Sequence, residues 1–253
     1  MELKNKKVVI TGASKGIGLE VVNQLLDEGA FVYAISRQMT RLDFSHERLI
    51  KQDADLSKEN ERADVFNHAL KTLGSIDLFI SNAGFAYYEL LSSYEESHVN
   101  AIYDLNVKQT IDFAVKMKEL HQDKPFTFVS KISATAFVSL PGYALYSSTK
   151  AALRAFMDGY RFEMNKDQHL ISLYPVATHT AFFERAKQTH KPWPVQKSSH
   201  VAKVLIKGIK KNKKNIHPSK IFKYGYLLTP WFFKLYNLRE KKIFDQLVKK
   251  NNQ

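Results

Sequence analysis

Thr11-Gly12-Ala13-Ser14-Lys15-Gly16-Ile17-Gly18 follows the apolar run Val8-Val9-Ile10 and leads into a segment, 17–28, whose apolar residues recur at helical spacing. A β-branched strand, three glycines and a helix in immediate succession make the first half of a βαβ unit. Glycine lets the backbone turn sharply and removes the Cβ that would hold a phosphate at a distance. The helix start then offers free N–H groups and a partial positive charge to an anion. The spacing is GxxxGxG rather than GxGxxG, so its meaning depends on what surrounds it.

The surroundings repeat the alternation. Short β-branched or aromatic runs at 7–11, 31–36, 49–53, 76–81, 126–130 and 170–174 predict strands. Helical patterns at 17–28, 58–73, 99–120, 147–165 and 199–211 separate most of them. Most of the strands are continuously apolar, as expected when helices cover both faces of a parallel sheet. The pattern predicts an α/β fold: a Rossmann-like, doubly wound sheet of about seven strands. In such folds ligands gather beyond the carboxyl ends of the strands.

The residues after the second strand select the ligand. A carboxylate there accepts from the adenosine ribose hydroxyls of NAD, whereas an arginine pairs with a 2′-phosphate. The chain reads Ala34-Ile35-Ser36-Arg37, with Lys15 adding a second cation from the glycine turn. NADP(H) is the expected cofactor.

Tyr146 and Lys150 stand four apart in a predicted helix and share a face. A phenol with a pKa near 10 is a poor acid–base group at neutral pH. A neighbouring ammonium favours the phenolate, and the pair is expected to bring that pKa down.

With these residues in place, the chain resembles the short-chain dehydrogenase/reductase family. The resemblance rests on Thr11 to Gly18, Asp55-Leu56 after the third strand and Asn82-Ala83-Gly84 after the fourth. It continues through Asn106, Ser133, Pro141-Gly142, Tyr146 with Lys150, and Pro175 followed by Thr180, over about residues 5–200. It implies that Tyr146 exchanges a proton with the substrate oxygen, while Ser133 hydrogen-bonds that oxygen. Lys150 would hold the nicotinamide ribose, and Asn106 would support a water-mediated proton path. Thr11, Gly12, Ser14, Lys15, Gly16, Ile17 and Gly18 would hold the pyrophosphate, and Arg37 the 2′-phosphate. Asp55 and Leu56 would meet the adenine, and Asn82, Ala83 and Gly84 the adenosine ribose. Pro175, Thr178 and Thr180 would line the nicotinamide and pyrophosphate. One departure stands out: Val176 follows Pro175 where the family carries glycine, and valine resists positive φ.

Charge is unevenly spread over the 253 residues. Residues 187–253 hold 17 Lys/Arg and 2 Asp/Glu, leaving 21 and 23 for residues 1–186, so the net charge of +13 belongs to the C-terminal part. There Lys207, Lys210, Lys211, Lys213 and Lys214 precede an aromatic stretch with Phe222, Tyr224, Trp231, Phe232 and Phe233. Three readings remain for this segment. It packs on the body with its lysines directed outward, it lies on an anionic membrane surface through residues 203–250, or it binds nucleic acid. No nucleic-acid motif supports the last, and nucleic acid is not expected.

The absence of cysteine excludes disulfides and thiolate chemistry. The nine histidines show no metal spacing, so no metal is expected. No apolar run approaches the ~20 residues of a membrane span, which predicts a cytoplasmic protein, peripheral on a membrane at most. Residues 1–217 are expected to form the catalytic domain, with a lid at about 180–198 carrying Phe182, Phe183 and Trp193, and 218–253 a basic aromatic extension. Tyr87, Tyr88, Phe137, Leu140, Tyr143 and His179 are candidates for the substrate cleft.

The combined expectation is an NADPH-dependent oxidoreductase that reduces a fairly hydrophobic ketone or aldehyde to an alcohol, working as a homo-oligomer. Two alternatives are a catalytically silent NADP-binding regulator and a membrane-surface scaffold acting through its tail.

Overall fold

The computed structural model describes residues 1–91, 95–180, 195–228 and 237–246. The strands are β1 (Lys7–Thr11), β2 (Phe31–Ser36), β3 (Leu49–Asp53), β4 (Leu78–Ser81), β5 (Phe126–Lys131) and β6 (Gln168–Leu173). After them come the short β7 (Thr178–His179), β8 (Gln196–Lys197) and β9 (Asn215–Ile216). Seven form one sheet in the order β3-β2-β1-β4-β5-β6-β9, every pairing parallel, while β7 and β8 pair apart from it. The family-like sheet predicted from the alternation is therefore present. Its seventh strand has only two residues, too few to leave a periodic pattern. Arg161 fixes that strand to its neighbour by donating to Ser172 Oγ (2.7 Å), the Lys214 carbonyl (3.1 Å) and Asn215 Oδ1 (3.2 Å).

The helices are α1 (Gly16–Asp27), α2 (Glu59–Leu73), α3 (Glu96–Tyr103), α4 (Gln109–His121), α5 (Ala144–Tyr160), α6 (Ser198–Lys210), α7 (Lys220–Leu228) and α8, over residues 237–246. Strand residues alternate between two cores. Val8, Ile10, Leu78 and Ile80 face α1 and α6, where Val21, Leu25, Val201 and Leu205 close one layer. Val9, Tyr33, Phe79 and Phe128 face α2, α4 and α5, where Val65, Phe113 and Leu153 close the other. Phe79 is fully buried, with ring centroids 4.6 Å from Phe113 and 5.6 Å from Phe128. Such aromatic pairs add about 0.5–1.5 kcal/mol each beyond the area they bury.

The helix expected over 99–120 is interrupted. Asp104–Lys108 form a π-helical turn between α3 and α4, and this wider turn carries Asn106. Such bulges commonly sit at functional sites because the extra residue re-aims a side chain. Here the Asn106 side chain points inward, fully buried.

Chain order reverses between β1 and β4, the place where a crevice opens in a doubly wound sheet. The described part of the C-terminal segment closes against the body. Phe222 of α7 is buried with its ring 6.2 Å from Phe137, and Phe244 of α8 is buried edge-on to Tyr88 at 5.2 Å. Among the described residues, no helix is long and apolar enough to cross a membrane. The proposed lid with Phe182, Phe183 and Trp193, and Trp231, Phe232 and Phe233, lie outside the described residues.

Candidate active site

The glycine turn fills the crevice between β1 and β4. Gly12 takes φ +65°, and Gly18 lies so close to the Gly12 carbonyl that a Cβ there would enter it and stand 2.6 Å from Asn82 Nδ2. Asn82, at the end of β4, holds this packing in place. Its Nδ2 donates to the Thr11 and Gly12 carbonyls at 3.0 and 2.9 Å. Thr11 Oγ1 in turn accepts from the backbone N–H groups of Asn82 and Ala83, both at 3.0 Å. Thr11 is therefore buried beneath the turn, while Gly12, Ser14, Lys15, Gly16, Ile17 and Gly18 line a cavity of about 870 Å³.

Lys15 caps α1 in an extended conformation, with no side-chain cap and no acid in the first turn. The helix N-terminus thus presents its donors and positive end to the cavity. Ser36 Oγ and Asn82 Oδ1, on the same walls, are buried without a hydrogen-bond partner among the described residues. Buried polar atoms of this kind are costly unless a ligand meets them. From the far side Thr180 closes over the turn, its Cγ2 2.7 Å from where a Gly16 Cβ would sit.

At the β2 end, Arg37 is exposed on the cavity wall and makes no ion pair among the described residues. Asp55 also lines the wall, but its Oδ1 is already held by the Ser57 N–H and hydroxyl, at 3.1 and 2.7 Å. Burial opposes its ionisation, yet the Ser57 donors outweigh that and keep the carboxyl below its usual range. Leu56, Ala83 and Gly84 complete this part of the lining.

The opposite end collects the expected acid–base residues. Ser133 follows β5 and Tyr146 occupies the first turn of α5, and both line the cavity. The Ser133 hydroxyl hydrogen-bonds the Tyr146 hydroxyl and accepts from the Thr135 N–H at 3.2 Å. Lys150, 1% exposed, donates to the Lys131 carbonyl at 3.2 Å, and its Nζ stands 5.5 Å from the Tyr146 ring centroid.

The expected fall in the tyrosine pKa is not what the structure shows. Burial pushes the Tyr146 hydroxyl up to about 12, against the opposing Ser133 hydrogen bond. Burial, helped by the Lys131 charge, takes the Lys150 ammonium well below its ordinary value. For both groups desolvation prevails. Asn106 accepts from the Phe85 N–H (3.0 Å) and donates to the Phe85 carbonyl (2.9 Å) and Thr149 Oγ1 (3.2 Å). Its amide thereby fixes the chain entering and leaving Phe85, immediately after Gly84.

Pro175, Val176, Ala177 and Thr178 form the wall beyond β6. Val176 keeps a negative φ, so valine fits this loop without backbone strain. The Thr178 hydroxyl donates to the Val176 carbonyl at 2.9 Å. Of the cleft candidates, Leu140 and Tyr143 line the cavity. Tyr87 instead stacks on His98 at 3.9 Å, Tyr88 contacts Phe244, Phe137 packs behind the wall on Tyr174, and His179 is exposed.

The sequence reading missed Lys131, Ile221 and Phe222, which also line the cavity. A lysine ending the otherwise apolar run Phe126 to Ser130 was the available signal for the first. For Ile221 and Phe222, 38 residues or more beyond Phe183, there was none.

A glycine cradle that side chains would fill, an open helix N-terminus, orphaned polar atoms and an exposed arginine all fit a dinucleotide. Comparison with known proteins agrees. A family model described as short chain dehydrogenase matches residues 6–191. An uncharacterised oxidoreductase of Staphylococcus saprophyticus is 32% identical over 167 residues, covering 64% of this chain and 68% of its own. The structure is similar to a short-chain dehydrogenase from Sphingobium yanoikuyae in complex with NADPH, with a TM-score of 0.78 and 22% identity over 85% of this chain and 88% of that one. It is equally similar to a short chain dehydrogenase/reductase from Burkholderia phymatum in complex with NAD, with a TM-score of 0.78 and 17% identity over 90% and 94% of the two chains. On the family match, together with a parallel sheet whose crevice holds the glycine turn at one end and Ser133 and Tyr146 at the other, the chain belongs to the short-chain dehydrogenase family of oxidoreductases.

Proposed function

We propose that the protein is an NADPH-dependent carbonyl reductase. The observation that carries this reading is the placement of Ser133 and Tyr146 on one end of the cavity that begins at the glycine turn, with Lys150 buried against the Tyr146 ring. Gly12 to Gly18 and the start of α1 would hold the pyrophosphate, and Arg37, with Lys15, the 2′-phosphate. The bound dinucleotide supplies the hydride that the protein itself lacks.

The chain's own residues manage the proton. Tyr146, whose hydroxyl is pushed up to about 12 by burial, is protonated at neutral pH and can donate to a carbonyl oxygen. The Ser133 hydroxyl, which Tyr146 already meets, stabilises negative charge developing on that oxygen. Lys150 and Asn106 hold the floor of the site, one through the Lys131 carbonyl and the other through Phe85. Leu140, Tyr143, Val138, Ile221 and Phe222 make the remaining walls predominantly apolar, which suits a hydrophobic ketone or aldehyde.

A panel of fatty and cyclic carbonyl compounds, scored by loss of NADPH absorbance, tests the reading. Turnover should appear with the wild type and fall by about 10³-fold or more in Tyr146→Phe, with dinucleotide affinity unchanged. Equal rates in the two proteins would remove Tyr146 from the chemistry.

One further observation favours attachment to an anionic membrane surface. Ile221, Tyr224 and Leu238 are exposed on the same helices that bury Phe222 and Phe244, beside Lys220, Lys223, Lys241 and Lys242. An outward apolar-and-basic face of this kind suits lipid headgroups. Sedimentation with anionic but not neutral vesicles is the expected result, and equal recovery with both would rule the attachment out.

A further inference from the structure

Lys131 ends β5 and lines the cavity, yet its Nζ has no hydrogen-bond acceptor or ion-pair partner among the described residues. Its carbonyl accepts from Lys150 Nζ, which is buried beside this end of the cavity rather than lining it. No carboxylate of the described residues pairs with either amine. Asp55 is the acidic residue on the described lining, and it follows β3, four strand spacings from β5 and therefore about 19 Å away. Burial draws the Lys131 ammonium down to about 8, which still leaves it mostly charged at neutral pH. Its charge is retained at the expense of Lys150, whose ammonium it pushes further down.

Reduction of a carbonyl puts a hydride on carbon and a proton on the adjoining oxygen. The ring that gives the hydride must therefore lie beside Tyr146, at the end where Lys131 sits. That ring is neutral when reduced and carries a positive charge when oxidised.

We propose that Lys131 makes the site discriminate between the two oxidation states of the dinucleotide: its unpaired ammonium repels the cationic oxidised ring and leaves the neutral reduced ring untouched. This rests on the reductase reading above and deepens it. A like charge within about 10 Å in a partly dehydrated cavity changes a binding equilibrium by on the order of ten-fold. Reduced dinucleotide is then retained and oxidised dinucleotide released, which biases the site toward carbonyl reduction. Lys131 also holds the Lys150 ammonium down, so Lys131→Met reads the net change of charge at this end of the cavity, and Lys131→Arg, which keeps a cation at 131, is the control.

The test is fluorescence titration of NADPH and NADP⁺ into the full chain, as wild type, Lys131→Met and Lys131→Arg, with circular dichroism to verify folding. Lys131→Met should lower the ratio of the NADP⁺ to the NADPH dissociation constant about ten-fold, chiefly by tightening NADP⁺, and Lys131→Arg should preserve the wild-type ratio. If the methionine variant does not fold, Lys131→Gln carries the same expectation. An unchanged ratio overturns the proposal. So does equal weakening of both forms, which would place the ammonium on a phosphate common to them. So does an unchanged ratio accompanied by a raised KM for keto acids alone, which would place it on a substrate carboxylate. Failure of the wild type to bind either form refutes the dinucleotide reading itself, a distinct result.

Discussion

Gly18→Ala should damage the protein more than any other single added methyl in the glycine turn. A Cβ at position 18 meets the Gly12 carbonyl oxygen well inside contact distance and Asn82 Nδ2 at 2.6 Å. Neither neighbour is the loose end of a flexible side chain. Gly12 is pinned by its own positive φ and by the Asn82 bond, and Asn82 is 5% exposed with its amide committed to two carbonyls. Relief requires the Gly12 peptide to move by about an ångström. Overpacking of this kind costs about 1–3 kcal/mol, and loss of the Asn82–Gly12 hydrogen bond about 1 kcal/mol more. At roughly 2–4 °C per kcal/mol for a chain of this size, the melting temperature should fall by about 5–15 °C. The same displacement tilts the backbone that faces the pyrophosphate, so NADPH affinity should drop at least tenfold. Gly159→Ala is the control. Nothing lies within 4 Å of a Cβ there and the residue sits in α5, so up to about 1 kcal/mol of stabilisation is expected from helix propensity. Thermal denaturation and NADPH titration of both variants decide the matter. A Gly18→Ala protein that melts and binds like wild type would refute the close-packed turn as the basis of binding.

Three further outcomes follow from the site. Arg37→Asp should exchange the cofactor preference, losing about 10- to 100-fold in NADPH affinity as a charge-assisted contact is replaced by repulsion, and parallel NADH and NADPH titrations read it directly. Lys131 sheds its proton at about pH 8 when folded and near 10.5 when unfolded, so the unfolded chain binds the extra proton between those values. Stability should therefore rise with pH across that window, by at most about 3 kcal/mol from this group, and because Lys150 is depressed too the urea midpoints for Lys131→Met should rise less steeply than those of the wild type; parallel curves for the two proteins would contradict it. Phe222→Ala removes a buried ring from the cavity wall and should cost about 3–5 kcal/mol and raise KM for apolar carbonyls, measured by chemical denaturation and steady-state kinetics.

Much of this architecture was legible because local chemistry and global fold agree. The first three strands have the predicted boundaries, β1 and β2 as apolar runs and β3 as Leu49-Ile50 followed by polar residues. Tyr146 and Lys150 were readable as a pair from helix periodicity, and Ser133 through the family resemblance. What escaped depended on contacts between distant segments. The π-turn at Asp104–Lys108 follows from Asn106 reaching Phe85, which no periodicity encodes. The direction of the Tyr146 shift depends on how completely packing removes water, and a lysine four residues on does not reveal that. Ile221 and Phe222 reach the cavity because β9 and α7 fold back across β6, a path invisible in a basic, aromatic segment.

The π-turn also constrains how this chain can change length. An α-helical turn completes in 3.6 residues, so deleting one residue between 104 and 108 would let α3 and α4 merge into one continuous rod. The merged rod would rotate everything before the deletion by about 100° relative to α4. Ile102, now fully buried, would swing off the core, and Asn106 could no longer grip the loop after Gly84. A shortening that smooths the secondary structure would thus dismantle the floor of the site, and the irregular coil has to be inherited whole.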